Sequence, residues 1–353
     1  SWNQPVGKNP AERHIEWVSK LDGMWGFSLW DPKAKELILC RDPFGIKPLV
    51  RTQLSDGTLL FGSEVKTFRG HPDFTAKPDI SALSVRLAYE YPLDQTTLFQ
   101  GVTSVGIGTI ETWSLAEGKA TLTGVAKYWK PRLIPSENWS PSTNASQLLN
   151  SLRDSIQDRL MADVPVGIVL SGGLDSSLMA ALAHDTADSA GKPTPECWTV
   201  ADSEENVDLQ ASITVTKNHD LGHHVHIMDE NTMWKKLPEF VWNGEDLDIT
   251  VMFWQSVFEQ MKGNVTVALC GQGADELHAG YSRYRALTEH SNVVKSRLSL
   301  AGQISISEND RGLGKPWSSD SIMPEDNFAN LSSTLEFEQS RGQMSNFQLR
   351  LGD

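Results

Sequence analysis

Along the first 130 residues, apolar positions come in short runs broken by turn-forming residues. "GFSLWD", "ELILCRD" and "LLFGSE" are rich in β-formers, with "DPKAKE" and "LSDGT" between them. Strand-length runs between such breaks predict antiparallel sheet. One helix-like stretch, Ile80 to Tyr91, interrupts them, and more short strands run up to "KYWKP". "PRLIPSENWSPSTNAS" then carries no periodic pattern and is rich in Pro, Ser and Asn, so residues 131–145 read as a linker.

From Asn144 the period changes. Leu148, Leu149, Leu152, Ile156 and Leu160 fall on one helical face, with Ser or Thr just upstream as a cap. "VGIVL" reads as a buried strand, followed by a helix from about Leu174, the strand "CWTV" and a helix through "DLQASITVTKN". "HHVHIM" is strand-like, "VMFWQSVFEQMKG" helical, and "VTVAL" a strand. Strands alternating with helices of this length predict a parallel α/β sheet with crossover helices. After about Asn292 the chain turns polar and the periodicity ends. No internal repeat is visible.

Between "VGIVL" and its helix lies "SGGLDSS", residues 171–177. Ligands of open α/β sheets bind beyond the carboxyl ends of the strands. A helix N-terminus there offers N–H groups and a partial positive charge to an anion. Gly172 and Gly173 allow close backbone approach, and Ser171, Ser176 and Ser177 add hydroxyl donors. The lysine of a Walker loop is missing, and Asp175 faces the same anion instead. A carboxylate beside phosphates makes sense through Mg²⁺, so the loop is expected to hold a Mg-bound pyrophosphate. About a hundred residues on, "VALCGQGADELHAGY" repeats the arrangement: an apolar strand, a glycine turn, and the acids Asp275 and Glu276. A parallel sheet would bring the two strand ends together, with Asp275 as a second Mg²⁺ ligand.

The loop resembles those of the PP-loop ATP pyrophosphatases, which cleave ATP between its α and β phosphates. The stretches "LDGMWGFSLWD", "LILCRDPFGIKPL" and "FGSEVK" look like the glutaminase domain of class II amidotransferases. With "SGGLDSS" and "GQGADELHAGY" they resemble, in this order, the glutamine-hydrolysing asparagine synthetase family, over most of residues 15–290. The resemblance implies an antiparallel α+β amidotransferase part over residues 1–130 and a PP-loop synthetase domain over residues 146–353. It implies glutamine hydrolysis in the first and, in the second, adenylation of aspartate by ATP, release of pyrophosphate and attack by ammonia. Ser171, Gly172, Gly173, Asp175, Ser176 and Ser177 match the pyrophosphate loop. Leu170 and Val200 match positions that hold the adenosine, and Cys270 and Gly271 match a Ser-Gly pair beside the nucleotide. Asp275 matches the second Mg²⁺ acid, and Gln272 stands where the family often has Glu, a catalytic position at which a glutamine cannot act as a base. Arg41, Asp42, Gly45, Lys47 and Pro48 belong to the amidotransferase signature and read as scaffold.

Charge narrows the partners. With 31 Lys and Arg against 45 Asp and Glu, the formal net charge is −14, a field that disfavours nucleic acid. No apolar run reaches the length of a membrane span. The three cysteines, Cys40, Cys197 and Cys270, are scattered through apolar runs and suit a reducing cytoplasm. The chain starts at Ser1 and ends at "LRLGD", and we expect a fragment. The family's glutaminase nucleophile is an N-terminal cysteine, so this chain is expected not to hydrolyse glutamine itself. The partners expected are ATP, Mg²⁺, aspartate, and glutamine or ammonia, with a homodimer left open. Rival readings are another adenylating amide-former, β-lactam synthetase-like or peptide-cyclising, and a non-catalytic ATP-binding fragment. His219, His223, His224 and His226 lack the Cys, Asp or Glu spacing of a zinc site and read as ordinary histidines. "GEDLDIT", with Asp246 and Asp248, reads as a solvated loop.

Overall fold

The computed structural model describes residues 9–89, 95–130, 140–246 and 252–275. They fall into two compact units, Ile134–Gln272 and the chain up to Leu133 together with the residues from Gly273 onward. Glu276, Asp248 and the polar stretch after Asn292 lie outside the described residues.

In the first unit, β1 (Gly26–Asp31), β2 (Glu36–Arg41), β6 (Thr109–Ala116) and β7 (Lys119–Lys127) form one antiparallel sheet in the order β1-β2-β6-β7. A smaller sheet has the order β4-β3-β5, from β3 (Val50–Gln53), β4 (Leu59–Gly62) and β5 (Val102–Ser104). Strand β2 is buried at every position, because apolar clusters lie on both its faces. Ile38 and Cys40 pack with Ala11, Val18 and Ile110, while Leu37 and Leu39 pack with Leu49, Val105 and Trp113. Each fully buried aliphatic side chain contributes about 2 kcal/mol. A polar weld joins the two sheets: Glu111 of β6, 1 % exposed, accepts from Arg51 Nε of β3 at 2.5 Å and Nη2 at 2.9 Å. Trp113 Nε1 donates to the same carboxylate at 3.1 Å.

The amidotransferase-like signature has a scaffold role. Asp42, 1 % exposed, accepts from the backbone N–H groups of Trp25, Phe44, Ile46 and Lys47 at 3.0–3.3 Å. Arg41 donates to the carbonyls of Gly45, Lys47 and Val105 at 2.8–3.1 Å. The pair ties together a turn whose backbone groups would otherwise be buried unpaired.

The second unit opens with α3 (Pro141–Arg159), which follows α1 (Ile15–Val18) and α2 (Ile80–Tyr89) of the first. It starts three residues before the expected Asn144, because Ser140 accepts from Thr143 N–H and Pro141 suits the first turn. The expected linker therefore ends in helix. Leu148 and Leu149, on the same helical face as Leu152, are 38 % and 37 % exposed. The core begins only at Leu152, since α3 meets its neighbours over its second half.

The parallel sheet has the order β10-β9-β8-β11, from β8 (Val166–Val169), β9 (Glu196–Ala201), β10 (His223–Ile227) and β11 (Val267–Leu269). Its connections include α4 (Leu174–Ser189), α5 (Val207–Asn218), α6 (Glu230–Gly244) and α7 (Met252–Met261). One core cluster joins Ile156, Ile168, Leu170, Ala180, Ala183 and Cys197 with the partly buried Val215 of α5. Another, on the opposite side of β9, is Trp198 against Val257 and Met261 of α7. The sheet is thus covered on both faces, as parallel sheets require. Among the described residues, no helix is long and apolar enough to cross a membrane.

Candidate active site

The strand order places the reversal of chain direction between β8 and β11. The chain steps outward from β8 to β9 to β10, then returns to pair β11 with the other side of β8, Val267 opposite Val166. A crevice opens at such a switch point beyond the carboxyl ends of the strands. Both glycine turns seen in the sequence leave these two neighbouring strands.

The first turn is shaped from within. Ser171 N–H lies 3.2 Å from Ser176 Oγ, and the two hydroxyls are 2.9 Å apart. Ser177 N–H donates to the Gly173 carbonyl at 3.0 Å, starting α4. Gly173 takes the N-cap position of α4 and, having no side chain, makes no capping bond to the helix start. The Ser177 hydroxyl is buried without a hydrogen-bond partner among the described residues. Both features suit an anion that accepts from the helix start.

The two glycines are there for different reasons. Gly172 has φ +82°, and a Cβ on it would stand 2.5 Å from Asp208 O and 2.6 Å from Ser212 N of α5. Its glycine is demanded by the fold. Gly173 has φ −66° and ψ 167°, which any residue adopts, and its Cβ would meet nothing closer than Ser171 Oγ at 3.4 Å. Neither backbone nor packing demands glycine there. The small residue keeps a cradle open in front of the helix.

The second turn abuts the first. A Cβ on Gly271 would lie 2.7 Å from Ser176 N and 2.8 Å from the Asp175 carbonyl carbon, so the β11 turn rests on the first turn of α4 through a glycine-sized gap. Cys270 is free, and burial pushes its thiol up, partly offset by the Gln272 N–H. Asp275 follows Gln272 by three positions. Leu170 is 1 % exposed and its side chain belongs to the core, so only its backbone can face a ligand. Its N–H donates to Trp198 O at 2.9 Å, and its carbonyl accepts from Thr199 Oγ1 at 2.6 Å. Val200 packs on the Trp198 side of the sheet.

Among the described residues, no cluster of three His, Cys, Asp or Glu side chains could hold a metal. The histidines have structural partners. His224 stacks on Trp198 with ring centroids 4.6 Å apart and reaches Glu196 at 2.8 Å, and His219 meets His184 edge-on. His223 lies between Thr199 and Thr216, at 2.8 and 3.2 Å. This buried polar group behind the glycine loop is not legible in the sequence, although a Thr in the doubly buried strand "CWTV" is a signal for it.

The asparagine synthase family model matches residues 147–348, more than half of the chain. The chain belongs to the asparagine synthase family. A glutamine amidotransferase domain model matches residues 11–129. The chain is 30 % identical to glutamine-hydrolysing asparagine synthetase 1 of Bacillus subtilis (strain 168), over 76 % of this chain and 41 % of that protein. It is 29 % identical to amidase chyE of Penicillium rubens, over 77 % of this chain and 42 % of that one. This asparagine synthase family member thus spans about two fifths of the curated relatives it matches. Among solved structures, the NH3-dependent NAD synthetase from Campylobacter jejuni is similar over 56 % of this chain and 95 % of its own. The TM-score is 0.32 and the identity 15 %.

Proposed function

We propose that this chain carries the ATP site of a glutamine-dependent asparagine synthetase. The observation that carries the reading is the meeting of the two glycine turns at the switch point of the parallel sheet, Gly271 against Ser176 and Asp175. ATP places its pyrophosphate at the start of α4, in the cradle before Gly173, where the phosphate oxygens accept from the Ser177 hydroxyl and the N–H groups of the helix start. The adenosine lies along the ends of β8, β9 and β11, by Leu170, Val200, Cys270 and Gly271. Asp175, and the Asp275 that the second motif supplies, would be the acids to hold Mg²⁺ beside the phosphates. When bound, such an ion would supply charge neutralisation for the pyrophosphate.

The side-chain carboxylate of aspartate attacks the α-phosphate, giving β-aspartyl-AMP and pyrophosphate. A carboxylate is inert to amines, and the acyl-phosphate bond supplies the leaving group. Ammonia then adds to the acyl carbon and AMP departs, leaving asparagine. The site contributes positioning and charge neutralisation, with no covalent protein nucleophile. Ammonia derives from glutamine through an amidotransferase function. Burial pushes the thiols of Cys40 and Cys197 up to about 12 and raises that of Cys270, which disfavours the thiolate that a nucleophile needs.

The test is pyrophosphate release from MgATP and aspartate with ammonium as nitrogen source. Asp175→Ala should abolish it, and unchanged release would refute the assignment of the loop. A second reading, an adenylating amide-former acting on another carboxylate, is favoured by Gln272 and by the likeness to a protein named an amidase. Release with a different carboxylate, and not with aspartate, would decide for it.

A further inference from the structure

The mouth of the glycine loop is backed by hydroxyls where apolar side chains would fill the same space. Thr199 is 4 % exposed, Ser212 0 % and Thr216 4 %, and His223 completes the group. Burying polar groups costs free energy unless each is paired. Here the pairing has a direction. Thr199 has one hydroxyl proton, and Leu170 O at 2.6 Å takes it, with Ser212 Oγ farther off at 3.4 Å. Thr199 Oγ1 therefore accepts from His223 Nε2–H at 2.8 Å. His223 Nδ1 faces the Thr216 hydroxyl at 3.2 Å. The chain of bonds runs from α5 through β10 and β9 to one backbone carbonyl.

That carbonyl belongs to the peptide that opens the loop. Its other side, Ser171 N–H, points to Ser176 Oγ at 3.2 Å. The 170–171 peptide plane is thus clamped at both ends, oxygen by Thr199 and hydrogen by Ser176. A flip of this plane would turn a carbonyl oxygen toward a bound anion and withdraw an N–H. From this, and resting on the nucleotide reading above, we propose that Thr199, backed by His223, is a positioning residue for the ATP loop.

Thr199→Val keeps the shape and removes the hydroxyl, and Thr199→Ser restores it. In the whole chain, hydrogen exchange at Ser171 N–H should quicken about tenfold in Thr199→Val, as loss of one buried hydrogen bond of about 1.4 kcal/mol implies. The dissociation constant for MgATP should rise by a similar factor. Thr199→Ser should return both to wild-type values. His223→Leu, which removes only the outer donor, should shift both in the same direction by less, and it serves if Thr199→Val does not fold. A merely structural role would lower stability without singling out Ser171 exchange or responding to the serine rescue. Unchanged Ser171 exchange in Thr199→Val overturns the clamp. Faster exchange with wild-type MgATP affinity overturns the positioning role. A wild-type chain that binds no MgATP refutes the nucleotide reading instead, and Ser171 exchange still decides the clamp.

Discussion

Adjacent glycines in one loop should fail in opposite ways. In Gly172→Ala the new methyl group starts 2.5 Å from Asp208 O and 2.6 Å from Ser212 N, backbone atoms of a helix that cannot turn aside. To reach ordinary van der Waals distance the loop must retreat by roughly 1 Å. The positive φ adds about 1–2 kcal/mol for a residue with a Cβ, and the overpacking about 1–3 kcal/mol. The expected destabilisation is therefore about 2–5 kcal/mol, with MgATP binding lost as the loop moves. In Gly173→Ala the backbone is already extended and the nearest atom is at 3.4 Å. Alanine is a poorer N-cap than glycine, so stability should fall by no more than about 1 kcal/mol. Yet the methyl group occupies the cradle before α4, and MgATP affinity should fall sharply. Urea denaturation and titration calorimetry of both variants give the four numbers needed. Gly173→Ala with wild-type affinity would refute the reading of that cradle. A Gly173→Ala variant as unstable as Gly172→Ala would refute the division of roles.

Thr186 has a hydroxyl buried without a partner among the described residues, in a residue 8 % exposed. Thr186→Val should raise stability by about 1 kcal/mol in urea denaturation, and a loss would show that the hydroxyl is satisfied. Burial lowers the pKa of His14 and of His223 below the ordinary 6.5. The unfolded chain then takes up protons that the folded one refuses, so stability present above pH 6.5 is lost as pH falls below it. His14→Gln should flatten this decline for the first unit, and an unchanged slope between pH 7 and about 5 would show that other groups set it.

The parallel sheet was readable because "VGIVL" and "VTVAL" are continuous apolar runs, each ending on a polar glycine turn. The turns themselves carried the chemistry, since few loops need two glycines and three serines before a helix. Helix α6 is not legible because Pro238, which ordinarily ends a helix, sits inside it. Strand β3 is not legible because "VRTQ" alternates for only four residues, and its Arg51 is there to meet Glu111, sixty residues on. Leu148 and Leu149 share the apolar stripe yet stay exposed, since periodicity does not show how far along the helix a partner extends. The clamp behind the loop joins Leu170, Thr199 and His223, whose proximity is tertiary and leaves only a trace in local pattern.

The pairing of β11 with β8 also sets the order in which the molecule can assemble. Val267 and Val166 meet across more than a hundred positions of chain, through a strand of three residues that borders β8 alone among the described strands. Closing so long a loop costs conformational entropy before any contact rewards it, and three residues return little. The first glycine turn, by contrast, needs only β8, β9 and the helices beside them. The second turn thus hangs on a short pairing closed over a long stretch of chain, and local opening is expected there before the first turn, which hydrogen exchange would show.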